Sequence, residues 1–132
     1  VASQHFPYVM PQETGNKTDV RWALLSAKDG TGLLASANDS LLSINVQDYS
    51  LQALNESKLS HTLQRGANTY LFIDYKQMGV GGDIGWGARV HPEYLLIGKR
   101  YQYSFQLMPV SEEVDVNKLL QRKMPQFGTL TN

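Results

Sequence analysis

Residues 100–107, RYQYSFQL, decide the fold class. Tyr101, Tyr103, Phe105 and Leu107 alternate strictly with Arg100, Gln102, Ser104 and Gln106. A period of two puts the large apolar side chains on one face of a strand and the polar ones on the other, whereas a helix would scatter both sets. The same period recurs upstream. In DVRWALLSA (19–27) Val20, Trp22 and Leu24 share a face, which assigns Trp22 to core packing, and in LLSINV (41–46) Leu42, Ile44 and Val46 do. TYLFIDY (69–75) is β-branched and aromatic, hence another strand, and GLLASA (32–37) is a weaker one able to pair with residues 20–27 across the turn KDGTG. The spacing of Leu51, Leu54 and Leu59 predicts one short helix over residues 50–58. In the tail SEEVDVNKLLQRKMPQFGTLTN (111–132) a serine and two acids suit a helix start, and Pro125 ends it. The expected fold is all-β: an antiparallel β-sandwich, or half of a larger one, with at most one or two short helices. Residues 1–108 form its β-sandwich region, and residues 109–132 form a C-terminal tail with a short helix followed by disorder.

Composition narrows the function classes. A chain of 132 residues, 42% of them hydrophobic, supports one core. Twelve basic residues balance twelve acidic ones, leaving no field to draw a nucleic acid or an anionic membrane. Without cysteine there is no disulfide, thiolate nucleophile or thiolate-bound zinc. No apolar run reaches the roughly 20 residues of a spanning helix. The opening VASQHFPYVMPQETG lacks the basic start and apolar stretch of a secretion signal and reads as the interior of something longer or as a mature terminus. Bacterial cytoplasm and periplasm both stay open as compartments.

The search for chemistry converges on YKQMGVGGDIGWGARVHPEY (75–94), where Gly79, Gly81, Gly82, Gly85 and Gly87 surround Trp86. Glycine loses the most conformational freedom on folding, so this density is costly in a mere connection. A dinucleotide fingerprint fails because Ile84 occupies the third glycine position, and a phosphate-binding loop fails for want of a following Lys-Ser or Lys-Thr. His5, His61 and His91 show no ligand spacing, and Asp83 lacks the neighbouring oxygens of a hard-cation site, so no metal is expected in this chain. Glycosidic hydrolysis needs two facing carboxylates. Glu13, Glu56, Glu93, Glu112, Glu113 and seven aspartates are present, but no pattern singles out a pair. Trp86 itself admits two readings: a flat apolar plate facing a sugar ring, or an anchor tucked into the sandwich.

Two long stretches, PYVMPQETGNKTDVRWALL (7–25) and IDYKQMGVGGDIGWGARVHPEYLL (73–96), together with YQYSFQL (101–107), resemble the C-terminal small-chain domain of bacterial β-galactosidases of glycoside hydrolase family 2. The resemblance runs in order from about Pro7 to Leu107. It implies half of a β-supersandwich similar to galactose mutarotase, the fifth and last domain of an enzyme whose catalytic glutamates, with any magnesium and sodium, belong to a separate barrel domain. No catalytic residue and no cofactor is then expected here, and the isolated chain is expected to be inactive. It implies a substrate-binding role for Trp86 as an apolar platform for the aglycone of a galactoside such as lactose, on a loop supported by Gly79, Gly81, Gly82, Asp83 and Gly85. The implied partners are the other domains of the parent enzyme, the galactoside and, for an exposed half-sandwich, a homo-oligomer. The alternative function is a free-standing carbohydrate-binding module in which Trp86 is joined by Tyr75 or Tyr94. The tail from Met108 to Asn132 runs past the end of the resemblance, which implies no role for it.

Overall fold

The computed structural model describes residues 1–80, 87–98, 100–111 and 115–121. Among these residues six strands form two antiparallel three-stranded sheets, making a β-sandwich. The strands are β1 (Lys17–Val20), β2 (Trp22–Ser26), β3 (Gly32–Ala37), β4 (Leu42–Gln47), β5 (Tyr70–Asp74) and β6 (Phe105–Val110). One sheet has the order β1-β4-β5 and the other β2-β3-β6. Two short helices, α1 (Leu51–Glu56) and α2 (Val116–Gln121), accompany them.

β2 and β3 pair as expected, with Trp22 opposite Ser36 and Ser26 opposite Gly32. Their turn is closed by Ala27 N donating to Thr31 O at 2.7 Å, with Gly30 in the left-handed region at φ +85°. Thr31 donates to Asp29 Oδ1 from its hydroxyl at 2.7 Å and from its amide at 3.0 Å, and these bonds hold the Asp29 carboxyl below its ordinary range. The stretch 19–27, expected as one strand, is instead two strands in different sheets. Asp19 at φ +56° and a break in the β1–β4 register bend the chain, and Arg21 lies between the sheets with its carbonyl accepting Ala37 N at 2.9 Å. Strands that change sheet at a bulge are how sandwich corners are turned. Val20 therefore does not share a face with Trp22 and Leu24.

Trp22 is not a core residue: it is 41% exposed. The core of this sheet gathers around Leu34, Val110 and Val116, with Leu24, Met108 and Leu119 packed on it. Trp22 opens an edge strand opposite Ser36, two residues beyond Leu24, and so projects past the end of that cluster. The RYQYSFQL stretch also needs correction. Its ladder starts only at Phe105 and runs on to Val110, while Tyr101 and Tyr103 precede it.

β4 is the central strand of the other sheet and is buried on both faces. Leu42 and Ile44 supply the apolar face, and Ser43, Asn45 and Gln47 the polar one. The amide groups of Asn45 and Gln47 are buried without a hydrogen-bond partner. α1 starts at Ser50, whose hydroxyl accepts from Ala53 N at 3.0 Å, and it buries Leu54. α2 starts at Asp115, whose Oδ1 accepts from Asn117 N at 3.1 Å and from Lys118 N at 3.3 Å, and it docks through Val116. The disorder expected beyond it falls on residues outside those described.

Candidate functional site

The glycine-rich loop grows from an aromatic clamp between the sheets. β5 ends at Asp74, and the next ring, Tyr75, lies nearly parallel to Tyr103 with centroids 5.6 Å apart and planes 13° apart. Tyr101 approaches Tyr75 at 6.4 Å, and Phe105 approaches Tyr103 at 5.9 Å. The Tyr103 hydroxyl donates to Ile73 O at 3.0 Å, tying the lead-in of β6 to β5 across the two sheets. Lys76 Nζ stands 5.0 Å from the Tyr75 centroid, within reach of a cation–π attraction. The alternation of Tyr101 and Tyr103, read as a strand, thus serves ring packing and not a ladder.

From this clamp the chain passes Gln77, whose side-chain oxygen accepts from Asn16 Nδ2 at 3.2 Å, and reaches Gly79. Gly79 N donates to Tyr94 O at 2.9 Å. A Cβ at Gly79 would stand 2.7 Å from Tyr94 Cβ and 3.0 Å from Val90 Cγ1, so only glycine permits the approach. Tyr94 closes a 3₁₀ turn, Pro92–Tyr94, in which Tyr94 N donates to His91 O at 3.0 Å. At the far side, Gly87 takes φ +82°, with no atom within 4 Å of a notional Cβ. The two end glycines therefore do different work: Gly79 allows a close contact and Gly87 allows a backbone turn. Trp86 lies outside the described residues, as do Gly81, Gly82, Asp83 and Gly85.

Beside the clasp of Gly79 on Tyr94 lies an open depression of about 450 Å³. Its walls come from the β1 corner (Thr18, Asp19), the start of β4 (Leu42, Ser43), Tyr75–Gln77 and Glu93–Leu96. Tyr75 and Tyr94 were singled out in the sequence only as companions of Trp86, and Glu93 only as one carboxylate among many. Asp19 and Ser43 were missed: a corner that brings residue 19 beside residue 93 leaves no local signal. Among the described residues no group of three or more His, Asp or Glu converges as a metal would require.

The chain matches a known family. The model for the family described as beta galactosidase small chain covers residues 1–107. A beta-galactosidase of Priestia megaterium is 40% identical over 111 residues, spanning 83% of this chain and 11% of that protein. One from Vibrio vulnificus strain YJ016 is 33% identical over 111 residues, 84% of this chain and 10% of the relative. One from Streptococcus thermophilus is 35% identical over 106 residues, 80% and 10% respectively. The chain spans about a tenth of the length of these curated relatives.

Proposed function

Because the chain belongs to the β-galactosidase small-chain family, we propose that it is the C-terminal region of a glycoside hydrolase family 2 β-galactosidase, where it holds the aglycone of a galactoside such as lactose on Trp86. Hydrolysis with retention needs an acid/base and a nucleophile on opposite sides of the glycosidic bond. In this reading both belong to the barrel domain of the parent enzyme, along with any magnesium or sodium. The isolated chain binds and packs but does not turn over a galactoside. The other domains of the parent are its partners.

One observation supports this reading above the others: the clasp at Gly79. A loop that only connects strands has no need of a root at which even a methyl group is excluded, whereas a loop that must hold one indole at a fixed place does. Gly79 N on Tyr94 O and the Tyr75–Tyr103 stack fix that root to both sheets. An indole so carried offers a flat apolar plate to the C–H face of a pyranose, with the sugar hydroxyls free to reach polar groups at the rim.

The test is Trp86→Ala in the full-length enzyme. Losing the plate costs roughly 1.5–3 kcal/mol of acceptor binding, on the order of 10- to 100-fold in affinity for glucose. Transfer of galactose to glucose falls further than hydrolysis of an aryl galactoside, because transfer needs a held acceptor where hydrolysis needs only water. A variant that loses stability with an unchanged transfer-to-hydrolysis ratio makes Trp86 an anchor and rejects the platform.

A further inference from the structure

We infer that the outer face of the β2-β3-β6 sheet is a docking groove for a short amphipathic helix, and that α2 of the same chain fills it as a strap that docks and detaches as a unit. The residues matched by the small-chain family end at 107, before α2 begins at Val116. Neither the family nor the Trp86 platform gives this segment a role, so the strap and the aglycone reading stand or fall separately.

The sheet has two unlike faces. Leu25 and Leu33 line an open cleft together with Ile44 and Val46 of the other sheet. Successive side chains on a strand point to opposite faces, so Leu24 and Leu34 turn the other way. The register sets Leu24 opposite Leu34 and Leu34 opposite Met108, an apolar row across all three strands, with Val110 beside it opposite Gly32. The other sheet can cover only one of the two faces, so this row needs a cover of its own. It has one: Leu34 is 1% exposed and Val110 8%, and the residues packed over them are Val116 and Leu119 of α2. Anchors at i and i+3 of one helix on an apolar face are the helix-in-groove mode of recognition.

The grip is apolar only. Besides the helix's own ladder, the polar contacts of α2 among the described residues are local: Asp115 Oδ1 accepts from Asn117 N and Lys118 N, Asp115 O accepts from Leu119 N at 3.0 Å, and Lys118 Nζ stands 3.7 Å from Asp115 Oδ2. None of them reaches the sheet. Six residues are also too few for a helix to stand alone in water, where isolated helices shorter than about 12–15 residues are marginal. α2 is therefore helical because it is docked, and docking and folding are one event. A segment held by two apolar side chains, with no directional bond to its support, opens well below global unfolding. Residues 111–114 tether it beside its groove, and so short a tether gives an effective concentration on the order of millimolar, enough to keep a weak contact closed most of the time.

The experiment uses the full-length polypeptide. Trypsin under native conditions reads the open strap as cleavage after Lys118, whose side chain is 83% exposed but whose backbone is helical while α2 is docked. Val116→Asp places a charge against the apolar row and should speed that cleavage at least tenfold, whereas Asn117→Ala, on the exposed side of α2, should leave it unchanged. Removing the residues after Ser111 should leave a folded polypeptide that binds more apolar-surface dye than the intact one. A synthetic peptide of residues 111–121, at millimolar concentration, should displace the added dye, and the same peptide carrying Val116→Asp should not. Equal cleavage of the wild type and Val116→Asp overturns the strap. So does a truncated polypeptide that gains no dye, or one whose dye the peptide leaves in place. A truncated polypeptide that no longer folds overturns it too, because α2 would then be part of the sheet's core and not a ligand of it.

Discussion

Placing a methyl group at Gly79 should damage the protein in proportion to a contact that can be measured. In Gly79→Ala the new carbon stands 2.7 Å from Tyr94 Cβ and 3.0 Å from Val90 Cγ1. Carbon atoms pack at about 3.5–4.0 Å, so Tyr94 must retreat by roughly 1 Å. The atom it meets is the root of a side chain, not a flexible tip, so the backbone of the 3₁₀ turn moves with it. That retreat strains or breaks the 2.9 Å bond from Gly79 N to Tyr94 O. Overpacking costs about 1–3 kcal/mol and the weakened hydrogen bond about 0.5–1.5. The smaller freedom of alanine in the unfolded chain returns about 0.4–1 kcal/mol. The net loss is roughly 1–3 kcal/mol, a fall of several degrees in melting temperature for a domain of this size. Gly87→Ala is the control, since nothing lies within 4 Å of its notional Cβ and its φ is +82°. It should lose about 1 kcal/mol from backbone strain alone, and Gly87→Asn less than that. Both series are read by urea unfolding of the same preparation. A Gly79→Ala protein as stable as the wild type would refute the clasp, because the entropic gain would then have met no steric cost.

Asp19→Gly should raise stability by about 0.5–1 kcal/mol in the same unfolding assay, since it relieves the left-handed aspartate at φ +56° while keeping the corner. Ser50→Ala should cost about 1 kcal/mol by removing the acceptor of Ala53 N at the start of α1, and Ser50→Asp should restore most of it.

The strands were legible where one face is buried along its whole length. β4 reads as Leu42, Ile44 and Val46 on one side, the first two buried, so local pattern and final packing agree, and β5, with Tyr70, Phe72 and Ile73, is a strand as its aromatic and β-branched residues suggest although it is only half-buried. Reading failed where alternation served something other than a ladder. Tyr101 and Tyr103 alternate because their rings reach Gly98 N and Ile73 O, and Val20 and Trp22 alternate across a corner that divides them between sheets. Trp22 misled for a related reason: a period identifies a face but not how far along the strand that face stays covered. In the loop, the glycine density announced a constraint, and Gly79 meets one from Tyr94, fifteen positions along the chain. The depression was illegible because its charged groups come from segments seventy-odd residues apart that only the fold brings together.

The pairing of β3 with β6 also imposes a timetable on synthesis. β2 and β3 form a local hairpin as soon as residue 37 has left the ribosome, but the other side of β3 has no strand to meet until Phe105–Val110 emerges. At about 5–20 residues per second the nascent chain carries that open edge for several seconds. Over that interval Gly32, Leu34 and Ser36, the β3 residues whose main-chain groups face β6, present unpaired amides and carbonyls to every other chain on the same messenger. Slowing translation between codons 38 and 105 should therefore lower the soluble yield, and an accelerated passage should raise it, although the mature protein would be identical in both cases.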